Sequence, residues 1–332
     1  MRYSDQLCNT ALHRAAGKGY TEIVSLLVDY AEKHKVQGEA KPEGIDSGVN
    51  SKKIGKYINV KNIHSMTALH MAVYEGHEDT ARLLIEKGAH KIIHAHYNDL
   101  YDGPRCYGRP LHVAVQGGRL NCVKLLIKQG ADIHFRDTFG RTALHYAALG
   151  GHLELYHFLC EQEAYENEMD NEGYSPIHLA ALEGNTRLIE SLSDKSFDVN
   201  KKDVKGRTLL HCAVKKGHRK TVGILLEREG IMVNILDSDQ KTALYYAFKS
   251  LDILLIKQLI EKKAEMYSKL VDYLKLANNA PAAIPDFEEL VHNALTRAPI
   301  SVAKEDSKRW KALVQAALLN DRGALKLLIE NA

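Results

Sequence analysis

One four-residue element governs this chain. Thr142-Ala143-Leu144-His145 comes back as Ser175-Pro176-Ile177-His178 and again as Thr208-Leu209-Leu210-His211, so the histidines stand at 145, 178 and 211, each 33 residues after the last. A fixed period of that size marks a solenoid, whose units are too small to bury their own apolar faces and therefore stack. A residue that recurs once per unit is read first as part of the frame and only then as chemistry. Further copies stand at Thr10-Ala11-Leu12-His13, Thr67-Ala68-Leu69-His70 and Arg109-Pro110-Leu111-His112, and a last one, with Tyr in fourth place, at Thr242-Ala243-Leu244-Tyr245.

Local rules build one unit. Thr142 is placed as an N-cap, its hydroxyl facing the free amides of a first turn. Pro110 and Pro176 suit the next position, where a helix has no use for the N–H. Leu144 opens the buried stripe, and His145 occupies the capping-box slot, from which a side chain reaches back to the cap. Ala147 and Ala148 leave room for a neighbouring helix. Gly151 ends the helix in the left-handed region. A second helix carries Leu153, Leu155, Phe158 and Leu159 on one face. Asp137, Asp170, Asp203 and Asp237 recur in the links.

Period and pattern together resemble the ankyrin-repeat family, over seven units covering roughly residues 5 to 264. The resemblance implies an all-α solenoid with β-hairpin fingers between helix pairs. The expected organisation is a repeat array over 1–264, with insertions near 33–57 and 90–107, followed by a helical C-terminal region over 265–332. Ala316-Ala317-Leu318-Leu319-Asn320-Asp321, followed by Leu325, Leu327, Leu328 and Ile329, reads as a degenerate repeat closing a helical C-terminal cap. A separate small domain is the alternative for this region, and a targeting subunit that recruits other machinery through these C-terminal helices is an alternative function.

Composition narrows the function classes. The 332 residues carry a formal net charge of +3, and no apolar run approaches the ~18–20 residues of a membrane span. Met1-Arg2-Tyr3-Ser4-Asp5 has no apolar signal core, so a cytoplasmic setting is expected. Ankyrin proteins also include bacterial effectors delivered into host cells, a style with which the irregular insertions are compatible. The five cysteines form no CxxC pair and are odd in number, which favours reduced thiols; Cys122, Cys160 and Cys212 fall within repeat helices, where a small thiol packs.

Chemistry is sparse. Six of the 17 histidines belong to the tetrapeptide and His77, His152 and His218 follow a helix-ending Gly, a regularity that speaks for packing. The 90–107 insertion is the exception: His94 and His96 alternate, and with Asp99, Asp102 or Cys106 they offer a zinc set or a Cys–His pair, against the plainer reading of a polar elongated finger. No Walker loop, GxGxxG, HExxH or GxSxG occurs. No enzyme activity and no cofactor are expected.

The resemblance implies binding of another protein in a concave groove, lined by fingertips and by the residues just before each helix-ending Gly. By alignment these include His64, Met66, Tyr74, Arg105, Phe139, Arg141, Leu149, Tyr174, Leu182, Lys205, Arg207, Lys215 and Lys216, with Ile63 and Val204 beside them. Aromatic, Met and Arg side chains are what binding hot spots favour. Lys201, Lys202, Lys205, Arg207, Lys215, Lys216, Arg219 and Lys220 crowd the sixth unit, and Glu161, Glu163, Glu166, Glu168, Asp170 and Glu172 precede it, a pattern suited to a partner with both acidic and basic surface. Nucleic acid is not expected, since no stacking aromatics are interleaved with the basic run. A monomer is expected. Leu192 stands before Asp198-Val199-Asn200, and Leu126 before Asp132-Ile133-His134, with a spacing that resembles targets of the asparaginyl hydroxylase of ankyrin proteins; common finger sequence is the alternative for Asn200 and His134.

Overall fold

A computed structural model of the chain describes residues 7–33, 55–89, 108–192, 198–250 and 252–262. Most of the first insertion, all of the second with Arg105, His94, His96 and Cys106, and the 265–332 region lie outside the described residues. The end of the first insertion runs into a short helix whose last residue, Ile58, is buried.

The chain forms two compact units, 1–176 and 177–332. The first holds α1 (Ala11–Gly17), α2 (Thr21–Lys33), α3 (Gly55–Ile58), α4 (Ala68–Glu75), α5 (Glu78–Leu84), α6 (Pro110–Gln116), α7 (Leu120–Lys128), α8 (Ala143–Gly150) and α9 (Leu153–Glu161). The second holds α10 (Pro176–Glu183, whose first residue belongs to the first unit), α11 (Thr186–Ser191), α12 (Leu209–Lys215), α13 (Arg219–Glu227), α14 (Ala243–Lys249) and α15 (Ile253–Glu261). Helices of two turns have no stability alone in water. They survive by stacking: in the first unit α1 on α4, α4 on α6 and α6 on α8, with α2 on α5 and α5 on α7 alongside; in the second α12 on α14, with α11 on α13 and α13 on α15. Among the described residues no helix is long and apolar enough to cross a membrane.

Sequence dictates these pairs locally. Leu12, Leu69, Leu111 and Leu144 are buried in the first unit, Leu210 and Leu244 in the second, each from the third place of the tetrapeptide. The paired alanines beside them, such as Ala147 and Ala148, are fully buried and set the close approach of inner helices. Gly151 takes φ 65°, a left-handed value that closes α8 at no steric cost.

The tetrapeptide histidine ties its own repeat to the finger of the next. His145 Nδ1 accepts from the Thr142 N–H at 3.1 Å and faces the Thr142 hydroxyl at 2.9 Å, while Nε2 donates to the Tyr174 carbonyl of the following finger at 3.2 Å. His13 repeats this with Thr10 and the Met66 carbonyl, and His211 with Thr208 and the Lys241 carbonyl. With Nδ1 facing a donor and Nε2 facing an acceptor, the neutral ring fits and a second proton does not. Burial pushes the His70 and His145 rings down to about 4 and lowers His112, His178 and His211 as well.

The links are hairpin turns closed by two backbone bonds, as in Asp137 N–H to Arg141 O and Gly140 N–H to Asp137 O, each 2.9 Å, and no strand ladder forms among the described residues. A five-residue turn has too few paired groups to extend into a strand.

Candidate partner-binding site

The recurring Asp explains why the fingertips are rigid. Asp137 Oδ1 accepts the Phe139 and Arg141 N–H groups at 2.9 and 2.8 Å, and Gly140 donates back to the Asp137 carbonyl at 2.9 Å. Asp170, Asp203 and Asp237 hold their fingers in the same way, and Asn62 does so through its amide oxygen. A carboxylate accepting two backbone N–H groups is a strong local clamp. The third residue of each finger is thereby carried at the tip: His64, Phe139, Glu172, Lys205 and Asp239.

Exposure divides the residues expected in the groove. In the first unit Phe139 is 45% and Tyr74 40% exposed, Ile63 is exposed as well, and His64, Met66, Arg141 and Leu149 are half-buried. In the second, Val204 is 70% exposed, Lys205, Lys215 and Lys216 are exposed, and Leu182 is half-buried. Tyr174 and Arg207 differ from expectation, since both are buried. They hold the fifth place of the finger, whose side chain turns inward. Arg207 Nε donates to Asp203 Oδ2 at 2.7 Å, and the Tyr174 carbonyl is the acceptor for His145.

Arg141 stands in the same fifth place but reaches forward, its Nε donating to Asp170 Oδ2 at 3.1 Å. Its own Asp137 is occupied on Oδ2 by the Tyr146 hydroxyl at 2.5 Å, and Asp237 likewise holds the Tyr246 hydroxyl at 2.6 Å. The sequence carried this signal as an Asp–Tyr spacing of nine residues, 137 to 146 and 237 to 246, which the reading of caps and stripes passes over.

Charge is distributed unit by unit. In the second unit Lys202, Lys205, Lys215, Lys216 and Lys220 are exposed, while Arg219 grips Asp252 with Nε at 3.1 Å and Nη2 at 3.0 Å. In the first unit Glu161, Glu163, Glu166 and Glu172 are exposed, Glu168 pairs with Arg136 at 2.7 Å, and Asp170 is buried in its finger. The Asn200 amide is held at both ends, donating to the Gly230 carbonyl at 2.7 Å and accepting from the Met232 N–H at 2.8 Å. His134 stacks on Tyr165 with ring centroids 4.0 Å apart. Among the described residues no cluster of three or more His, Cys, Asp or Glu side chains is arranged to hold a metal. Burial pushes the thiols of Cys122 up to about 11 and of Cys160 and Cys212 up to about 12, far from nucleophilic use.

A family model described as "Ankyrin repeats (3 copies)" matches four overlapping stretches, 2–95, 46–137, 111–203 and 179–269. The chain belongs to the ankyrin-repeat family. Ankyrin repeats are protein–protein interaction modules, and among this chain's curated relatives are proteins named as a subunit and as an inhibitor. Target of rapamycin complex 2 subunit AVO2 of Saccharomyces cerevisiae is 34% identical over 90 residues, 27% of this chain and 19% of that protein. NF-kappa-B inhibitor cactus of Drosophila melanogaster is 32% identical over 111 residues, 26% of this chain and 21% of that protein. The match thus spans about a fifth of each of these relatives. The crystal structure of the human ASB11 ankyrin repeat domain superposes with a TM-score of 0.57 at 21% identity, covering 77% of this chain and 99% of that one, a likeness of fold.

Proposed function

We propose that this ankyrin-repeat chain is a non-catalytic scaffold that holds a partner protein on its fingertips and inner-helix ends. The observation that carries the reading is the pairing of exposed side chains with a locked backbone. Phe139 leaves nearly half its surface in water while its own N–H is pinned to Asp137, so a partner meets a preorganised aromatic group at little ordering cost. Tyr74, Ile63 and His64 extend this apolar and aromatic set in the first unit. In the second unit Val204 and Lys205 on the finger and Lys215 and Lys216 at the end of α12 are exposed, and the three lysines form a basic set suited to an acidic segment of the partner. The names of the relatives, a complex subunit and an inhibitor, support a regulatory use in which binding itself is the act.

Quantitative affinity purification of the full chain tests this. A partner retained by the wild type is expected to bind Phe139→Ala and Lys205→Glu at least about tenfold more weakly, as for hot-spot side chains. A partner held equally by both variants would place the site elsewhere on the chain.

A further inference from the structure

The first helix pair presents a face that every later pair of the first unit covers. In α5, α7 and α9 the third residue is Thr80, Cys122 or Leu155, exposed by 1%, 0% and 2%. In α2 the same position is Ile23, 47% exposed. The inner helices agree: Ala68 and Ala143 are buried at the first helical position, whereas Ala11 is exposed. Among the described residues α1 and α2 differ from the others in having no helix pair before them. The preceding pair is therefore what covers these positions elsewhere.

Polar contacts show the same stacking face. The residue that opens the outer helix reaches back to a helix-end carbonyl of the preceding pair. His77 Nε2 donates to Gly17 O at 3.2 Å, Arg119 Nε to Tyr74 O at 3.0 Å and His152 Nε2 to Gln116 O at 3.2 Å. Tyr20 holds that place in the first pair and is 55% exposed. A solenoid face with no neighbouring pair on it is normally polar. Here Tyr20, Ile23, Leu26 and Tyr30 form a continuous exposed apolar stripe, with Leu26 at 69%, while Val24 and Val28 on the adjoining face are buried. Contiguous apolar surface of this kind marks an interaction site.

We propose that this face joins two copies of the chain, α2 packing antiparallel on the α2 of the second copy across a two-fold axis. A single patch that meets itself can close only across such an axis, whereas head-to-tail stacking needs a second face and grows without limit. The rim charges suit the antiparallel arrangement. Glu22 in the first turn and Lys33 in the last lie along the same edge of the stripe, beside Leu26. A two-fold axis through the middle of α2 brings Glu22 of one copy to Lys33 of the other and opposes the helix dipoles favourably. Leu26 then lies close to the axis and meets Leu26 of the other copy, with Ile23 and Tyr30 to either side of it along the stripe. The chain's own 34–54 stretch has little apolar surface to offer it, since Val36, Ile45, Val49 and Ile54 are its only large apolar residues. The inference stands apart from the fingertip reading and replaces the monomer expected from sequence.

Sedimentation velocity of the full chain from about 1 to about 100 µM tests it, because self-association responds to concentration. The wild type is expected to pass from monomer to dimer. Leu26→Glu removes a leucine from both copies and is expected to weaken the dimer about 100-fold, about tenfold per lost side chain, while the diluted monomer melts as the wild type does. Glu22→Lys and Lys33→Glu should each weaken it several-fold, and the double variant should recover wild-type association; this pair carries the test if Leu26→Glu fails to fold. A wild type that stays monomeric throughout, or grows beyond a dimer, overturns the proposal. So does Leu26→Glu at wild-type affinity, or a double variant that fails to recover.

Discussion

Acid should unfold the first unit through its buried histidines. The His145 ring is fully buried, accepts the Thr142 N–H at Nδ1 and donates from Nε2 to Tyr174, so a second ring proton would point at another donor. His70 sits in the same frame with Thr67. Burial lowers both rings to about 4, against 6.5 in the unfolded chain. Around His145 the carboxylate of Asp170 works against this lowering, and Arg141 and Arg136 add to it. Between those two values the unfolded state binds the proton and the folded state does not, so stability is fully present above pH 6.5 and falls as pH drops toward 4. The slope is ~1.4 kcal/mol per pH unit for each ring, which gives about 2 kcal/mol per ring between pH 6.5 and 5 and about 4 kcal/mol for the two.

His145→Gln isolates one ring. Gln at this position can still reach back to the cap, as in a capping box, but does not titrate. At pH 7.5 the variant should be less stable by about 1 kcal/mol, for the weakened bond to the Tyr174 carbonyl. On moving to pH 5 it should lose about 2 kcal/mol less than the wild type, so the two stability curves cross. Urea unfolding followed by circular dichroism at a series of pH values measures this directly. Parallel curves for the two proteins would refute the argument, since they would show that His145 titrates alike in folded and unfolded chains.

Two further outcomes follow from the clamps and the core. Asp137→Ala removes the acceptor for two backbone N–H groups and for the Tyr146 hydroxyl, and should cost about 2–4 kcal/mol in urea unfolding; a cost below about 0.5 kcal/mol would show that water serves these donors equally well. Thiol labelling of the native chain at pH 8, mapped by mass spectrometry, should modify exposed Cys8 well before buried Cys122 and Cys212, which react only on unfolding; equal labelling would contradict their burial.

The repeat frame was legible because its rules are satisfied within a few residues. Thr142 and His145 are three positions apart, Asp137 clamps N–H groups two and four residues on, and Gly151 needs only its own φ. Stacking was legible from the period, since a unit with Leu144, Ala147 and Ala148 on one face has nothing inside itself to bury them against. The open stripe of α2 was missed for the same reason. Ile23 reads as an ordinary core position, and only the presence or absence of a neighbouring pair decides whether it meets protein or water.

The fifth finger residue shows where local reading stops. Arg141 and Arg207 hold equivalent places and look equally available to a partner. Their fates diverge over one oxygen. In the finger of Asp137, Tyr146 donates to Oδ2, so Arg141 is turned away to Asp170 of the next finger and stays half-exposed. The equivalent of Tyr146 in the next unit but one is Cys212, which has no hydroxyl to offer, so Asp203 Oδ2 is free to draw Arg207 back into a buried ion pair. Where the tyrosine returns as Tyr246, Asp237 Oδ2 is again taken, and Lys241 lies over the Tyr245 ring at 4.3 Å instead. A residue nine positions from the Asp thus decides whether the charge four positions from it belongs to the frame or to the surface. Binding faces of repeat proteins vary through such competitions as well as through the residues that touch a partner.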